Sequence, residues 1–253
     1  MNNSWTDRKL GVSVLGDFQV LRDGHRHEVP TRQVARLGAL LAAEPRQPFT
    51  RERIVQALWA DKPPHTAVNT VHVHISQLRS HLGSELVLTT GQGYALAIDD
   101  SDVDAQWFRE RVLGCIDQSE GNSPTQVRET LLQAIELWRG EPYEDLRDAG
   151  VKARRSELQE LLERAQELYL EVSLKAANSA REIGEVVAAA RGQVARQPLR
   201  ERGYEVLIRA LIRENDHAQA AQVYRHAVEV FADQAGVGPS PRLRELIEMV
   251  LEN

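Results

Sequence analysis

Thr66 to Gly83 reads TAVNTVHVHISQLRSHLG, and this stretch decides the first half of the 253-residue chain. Val71, Ile75, Leu78 and Leu82 recur at i, i+4, i+7 and i+11, which stacks them along one side of a helix. The opposite side carries Asn69, Val73, Ser76, Gln77 and Ser80. Short hydroxyl and amide groups of this kind meet base edges and phosphates in a DNA major groove. Arg79 stands at the margin of the two faces. The competing reading is an ordinary surface helix with a solvated polar side, and the flanking segments decide between the two.

Upstream, Thr50 to Trp59 reads TRERIVQALW, with Thr50 placed as an N-cap and Ile54, Val55, Leu58 and Trp59 as an apolar stripe. ADKPPH follows, and its two prolines force a turn and a restart that Thr66 is placed to cap. Earlier still, Thr31 to Ala43 carries Val34, Leu37, Leu40 and Leu41 at helical spacing, and Glu44-Pro45 ends it. Downstream, Leu86 to Leu88 and Tyr94 to Ile98 are β-prone runs around Thr90-Gly91-Gln92-Gly93, a hairpin of wing length. No helix follows this Gly-x-Gly, which argues against a nucleotide loop. Val12, Val14, Phe18 and Val20, with a turn at Asp23-Gly24, predict a small antiparallel sheet. Sheet, three helices and hairpin make a winged helix-turn-helix.

The pattern LGDFQVLRDG, then ALW, PP, N-T-V-x-V-x-I-S-x-L-R and GYAL resembles the OmpR-type winged-helix domain over residues 10–98. With its ALW and PP it is similar to the Streptomyces antibiotic regulatory protein (SARP) family.

Residues 99–253 are rich in Ala, Leu, Glu and Arg at helical spacing. Asp104 is placed to cap one helix. Ser123-Pro124 starts another that runs to Trp138, Gly140 and Pro142 break the chain, and a long helix spans about Lys152 to Ala177. At an offset of 37, Leu170 falls on Leu207, Leu174 on Leu211, Val186 on Val223, Ala190 on Ala227 and Val194 on Phe231. Each copy is helix, turn, helix and a Pro-containing exit, a repeat of tetratricopeptide length. The strings WRGEP, PLRERGYEVLIRALIRENDHAQAAQVYRHAVEVF and GVGPSPRLRELI resemble the bacterial transcriptional activation domain, which follows the winged helix in SARP proteins. The expected fold class is therefore mainly α with a small β component. The DNA-binding domain is expected over 1–98 and the tetratricopeptide-like domain over 99–253. Larger relatives carry further domains, so a chain stopping at Asn253 is expected to be a small or truncated member.

The formal net charge is −6, yet residues 1–99 hold 11 Lys/Arg against 9 Asp/Glu, while the remainder holds 20 against 28. The acidity belongs to the helical half, and a first half at +2 predicts modest non-specific affinity and a reliance on tandem binding. One cysteine, Cys115, excludes an internal disulfide, fits a reducing compartment and reads as a buried thiol. No run approaches the roughly 20 apolar residues of a membrane span. The polar start MNNSWTDRK is not a secretory signal. A cytoplasmic, nucleoid-associated protein without membrane contact is expected.

Six of eight histidines lie in the first half, four of them at His65, His72, His74 and His81. His72 and His74 do not share a helical face, and His74 and His81 have no carboxylate or thiol between them, so no metal is expected. DDSDVD fails as a calcium loop because the required Gly and closing Glu are missing. No nucleophile elbow, phosphate loop or metal motif is present, so neither an enzyme nor a cofactor is expected.

The resemblance implies a sequence-specific transcriptional activator, probing the major groove of double-stranded DNA with Thr66 to Leu82. Thr70, His72, Val73 and Gln77 match the family's base-facing positions. Val73 suits a thymine methyl, and Gln77 suits a bidentate pair with adenine. Asn69, His74, Ser76 and Arg79 are the phosphate candidates, Ser76 being short where relatives often carry Arg. The wing tip Thr90, Gly91 and Gln92 would reach the minor groove or its phosphates, and it lacks Arg and Lys. The resemblance further implies pairs of the protein side by side on direct repeats one DNA turn apart. It also implies recruitment of RNA polymerase holoenzyme through the sigma factor and other subunits, and control of antibiotic gene clusters. If His72 or His74 meets phosphate, binding should tighten as pH falls from about 8 to 6. Two readings compete: a repressor on the same fold, and a non-DNA adaptor whose repeats bind a partner.

Overall fold

The first two N-terminal strands carry Val and Leu, and the third, His25–Glu28, is wholly polar. In the computed structural model, which describes residues 5–117 and 123–251, β1 (Leu10–Ser13), β2 (Gln19–Arg22) and β3 (His25–Glu28) make an antiparallel meander. Val12 pairs with Val20, and Arg22 pairs with His25 across the two-residue turn Asp23-Gly24. Both turn residues have positive φ (49° and 80°), the conformation that matches the strand twist.

Three helices follow. α1 (Arg32–Ala43) begins at Thr31, whose hydroxyl accepts from the Val34 N–H at 3.3 Å. β4 (Phe49–Thr50) leads into α2 (Arg51–Trp59), where the Thr50 hydroxyl accepts from the Arg53 N–H at 3.2 Å. α3 (Ala67–Leu82) buries Val71, Ile75, Leu78 and Leu82 as their spacing predicts. One expectation at its start fails. Thr66 occupies the N-cap position, but its side chain caps nothing. Instead Thr70 Oγ1 donates back to the Thr66 carbonyl at 3.0 Å.

The hairpin β5 (Val87–Thr89) and β6 (Gly93–Leu96) completes a second sheet in the order β4-β6-β5. Gly93 is required here. A Cβ at Gly93 would lie 1.9 Å from the Phe49 carbonyl oxygen, so only glycine lets β4 and β6 pair this closely. The second Gly of the Gly-x-Gly therefore serves the sheet. The chain folds as sheet, three helices and wing.

By packing, the chain divides into two units, one of residues 1–115 with 132–163 and one of residues 116–131 with 164–253. The first unit thus includes the start of the helical half. α4 (Asp104–Asp117) begins at Asp104, which does not cap it as expected. Its buried carboxylate accepts from the N–H groups of Val14 (2.7 Å) and Leu15 (3.4 Å), with Arg139 Nη2 at 3.6 Å. Capping is a local bond, whereas these amides lie about ninety residues away. Arg139 donates its backbone N–H to the Leu15 carbonyl at 2.9 Å and its side chain to Asp17 and Gln19. Trp138 stacks edge-on against Phe108 at 5.4 Å. The WRGEPY segment is thus a strap fastened to the first sheet. Cys115 is buried, as expected.

α5 (Pro124–Ile135) ends three residues before Trp138. The long helix is α6 (Ala149–Ala176). α7 (Ala180–Arg196), α8 (Glu201–Arg213), α9 (His217–Ala235) and α10 (Pro241–Leu251) follow. In the second unit Leu170, Leu174, Val186, Ala190, Val194, Leu207, Leu211, Ala227 and Phe231 share one core, with Val223 against it. All five aligned pairs of the 37-residue offset therefore meet in one apolar cluster. Ser179 and Glu182 form a reciprocal capping box at α7, and Gly236 ends α9 in the left-handed conformation.

Candidate nucleic-acid interface

Burying the apolar stripe of α3 leaves a defined outer face. Val68, Asn69, His72, Val73, Ser76 and Ser80 are exposed, at the three- and four-residue spacing of one helical side. Val73 is 55% exposed and Val68 47%. Aliphatic groups held this open on a polar face suit contact with thymine methyls. Of the proposed base-facing set, His72 and Val73 stand in the open, while Thr70 and Gln77 are half-buried at the edges.

Several candidates are engaged with neighbours. His74 Nδ1 lies 3.2 Å from Gln77 Oε1, a hydrogen bond when Nδ1 carries the proton. Gln77 retains its amide NH2 for a base edge. The Gln77 carbonyl accepts from Ser80 Oγ (2.7 Å) and His81 Nδ1 (2.9 Å), which holds the last turn rigid. Asn69 and Ser76 have free, exposed side chains among the described residues.

Arg79 is engaged within the fold. Its Nε and Nη2 donate to the Val87 carbonyl at 2.9 and 2.7 Å, and Nη2 also donates to Thr89 Oγ1 at 2.8 Å. This guanidinium ties the wing's first strand to α3. Arg22 does a related job at the helix end, donating to the His81 and Leu82 carbonyls at 3.3 and 3.2 Å. A cation there meets the negative end of the helix dipole.

The wing turn is closed by Thr90. Its N–H donates to the Gly93 carbonyl at 2.9 Å, and its hydroxyl accepts from the Gly93 N–H at 3.1 Å. Gly91 and Gln92 are exposed at the tip, with nothing within 4 Å of where a Gly91 side chain would start. On the wing's first strand Leu88 is 45% exposed.

Folding adds one residue that the sequence alone did not mark. Arg51, at the start of α2, donates its backbone N–H to the Gln92 carbonyl at 3.4 Å, and its guanidinium lies 5.9 Å from the Tyr94 ring centre. His72 meets the same ring edge-on at 6.3 Å. Tyr94 therefore gathers a cation from α2 and an imidazole from α3 beside the wing. The only advance signal was position: Arg51 follows the cap of α2 at the end of a strand that pairs with GYAL.

Among the described residues, no group of three or more His, Cys, Asp or Glu is placed to hold a metal ion. No helix among them is long and apolar enough to cross a membrane.

Comparison with known proteins gives this geometry a family. Residues 28–96 match the family described as transcriptional regulatory protein, C terminal, and residues 103–251 match the bacterial transcriptional activator domain. Regulatory protein AfsR of Streptomyces coelicolor is 29% identical over 96% of this chain, which spans about a quarter (24%) of that relative's length. Transcriptional regulator RedD of the same species is 27% identical over 92% of this chain and 68% of its own. The solved structure of Mycobacterium tuberculosis EmbR in complex with a low-affinity phosphopeptide superposes with a TM-score of 0.82 at 26% identity, over 96% of this chain and 65% of that one. With an OmpR-type winged helix followed by a bacterial transcriptional activator domain, the chain belongs to the SARP family of transcriptional regulators.

Proposed function

We propose that this regulator is a sequence-specific activator that binds direct repeats in promoters and recruits RNA polymerase holoenzyme, including its sigma factor. The observation that carries the DNA reading is the outer face of α3, where amide, hydroxyl, imidazole and aliphatic groups stand exposed at helical spacing. Thr70, His72, Val73 and Gln77 read bases. Asn69, Ser76 and His74 reach phosphates, and Arg51 joins them from α2. Arg79 acts indirectly by holding the wing, so that Thr90, Gly91 and Gln92 meet the neighbouring backbone. The functional domains are residues 1–98 and 99–253.

The face is short of cations, which limits the counterion release available to one copy. A second copy side by side on a direct repeat supplies the missing affinity. The genes controlled are those of secondary-metabolite, antibiotic-type clusters, and the protein works in the cytoplasm on the nucleoid.

The test is a gel-shift titration on duplexes with two direct repeats about one helical turn apart, against scrambled controls and across salt. Cooperative, sequence-dependent binding that weakens with salt is expected, as is a loss of sequence preference in Gln77→Ala. Binding no tighter than to scrambled duplexes, over a range of candidate repeats, would replace this reading with the adaptor. Run-off transcription on the same DNA separates activator from repressor.

A further inference from the structure

We propose that a cleft in the second unit binds a small amphiphilic anion, a carboxylate or phosphate carried on an apolar body. The cleft has a volume of about 530 Å³ and is formed by the end of α6, the length of α8, the start of α9 and α10. That volume falls within the roughly 300–1,000 Å³ of small-molecule sites.

Its chemistry has two parts. Leu174, Val206 and Leu246 supply an aliphatic lining. Around them stand five Lys/Arg side chains against two Glu. Yet residues 100–253 as a whole carry 20 Lys/Arg against 28 Asp/Glu. A domain that is acidic overall therefore gathers an excess of cations around one apolar hollow. An ordinary solvated face would mix the two signs and enclose no aliphatic surface.

Four of the five cations are held in place, Arg213 among them by the Leu174 and Ala177 carbonyls. Glu205 is only 6% exposed and accepts from Arg202 Nη1 at 2.7 Å and Arg242 Nε at 3.0 Å. Glu171 pairs with Arg202 and, at 3.1 Å, with Lys175. A buried carboxylate that fixes two guanidiniums pre-organises them for an incoming anion. Arg242 uses only its Nε in that pair and keeps both terminal nitrogens. Arg209, exposed on α8 and lining the cleft, makes no ion pair among the described residues. These two guanidiniums would take the anionic head, and the aliphatic lining would take the tail.

The site owes nothing to the DNA-binding reading and stands or falls alone. The test is isothermal titration of the full chain with decyl phosphate below its micellar concentration, beside decyl glucoside and decyltrimethylammonium as neutral and cationic controls. Saturable binding of the phosphate at one site is expected, at least about ten-fold tighter than either control. Arg209→Glu should weaken it about ten-fold and Arg242→Gln several-fold, with unchanged thermal melting and unchanged binding to duplex DNA. If Arg209→Glu melts early, Arg242→Gln alone decides. No saturable binding, equal binding of the neutral control, or indifference to both substitutions overturns the proposal. An eight-residue peptide of Asp, Glu and Leu that displaces decyl phosphate and binds ten-fold tighter overturns it in favour of a protein partner.

Discussion

Both units of this chain bury an apolar core, and they differ in how far their polar bonds reach along the sequence. The second is a repeat: helical hairpins whose Leu, Val and Ala residues meet in one apolar cluster. The first is the larger; it buries an apolar core of its own and is also stitched by polar bonds that span most of its length. Asp104 receives two backbone N–H groups of the first sheet. Arg53 binds Glu44 and Asp148, and lies 4.1 Å from the Phe49 ring centre. Arg155 donates to the carbonyls of Pro142, Tyr143 and Leu146, and Arg79 grips the wing. An apolar cluster spreads its stabilisation over many contacts, so its members are partly interchangeable. A polar stitch concentrates it in one group and leaves orphaned partners when that group goes.

The difference is open to direct test. Leu207→Ala in the apolar cluster should cost the second unit about 2–5 kcal/mol by losing buried surface and leaving a cavity. Leu207→Met, which conserves volume, should cost less than about 1.5 kcal/mol. Hydrogen exchange resolved by peptide assigns each loss to its unit. Equal losses for the two variants would contradict a tolerant apolar cluster.

Asp104 tests the stitched unit. Asp104→Ala leaves the amides of Val14 and Leu15 without an acceptor and should cost about 2–4 kcal/mol. Burial, opposed by those amides and by Arg139, pushes the Asp104 carboxyl up to about 6 from an ordinary 3.8. The folded state therefore holds this proton more tightly than the unfolded one. The associated stability, about 3 kcal/mol, is complete below about 3.8 and is lost as pH rises through about 6. Chemical denaturation from pH 4 to 7 should show this decline in the wild type, and Asp104→Asn, which keeps an acceptor without the titration, should remove it.

Arg79 gives a smaller, local effect. Arg79→Ala should weaken DNA binding about ten-fold while moving the melting temperature little, because the wing's first strand loses its tie to α3. Lysine cannot reproduce the forked contact with Val87 and Thr89, so Arg79→Lys should resemble Arg79→Ala in a gel shift. A lysine variant with full affinity would point to a simple phosphate contact instead. Smallest of all, Ser76→Arg adds one cation to the face. It should steepen the slope of log K against log salt by about 0.9 without changing which repeat is preferred.

How far the sequence could be read follows the same division. The core sides of α1, α2 and α3, the Asp23-Gly24 turn, the wing and the repeat were all legible, because each is a periodicity or a turn within a few dozen residues. The misreadings were polar. Asp104 and Thr66 both stand before apolar helical runs and look like caps. One is spent on amides about ninety residues away, and the other has no capping bond at all. Arg79's bonds to Val87 and Thr89 are likewise invisible locally, because only the fold brings the wing's first strand within its reach. Arg51 carries no local mark because its nearness to Tyr94 and Gln92 depends on the pairing of β4 with β6.

By itself, then, the sequence determined most of the elements, the buried faces of α1 and α3 and, through its motifs, the family. Side-chain spacing along a helix or strand is enough for that. Tertiary structure alone decided which polar groups remain free to meet DNA or a ligand. A long charged side chain reaches several ångströms in many directions, and its partner is chosen by whichever distant backbone the fold brings within hydrogen-bonding distance.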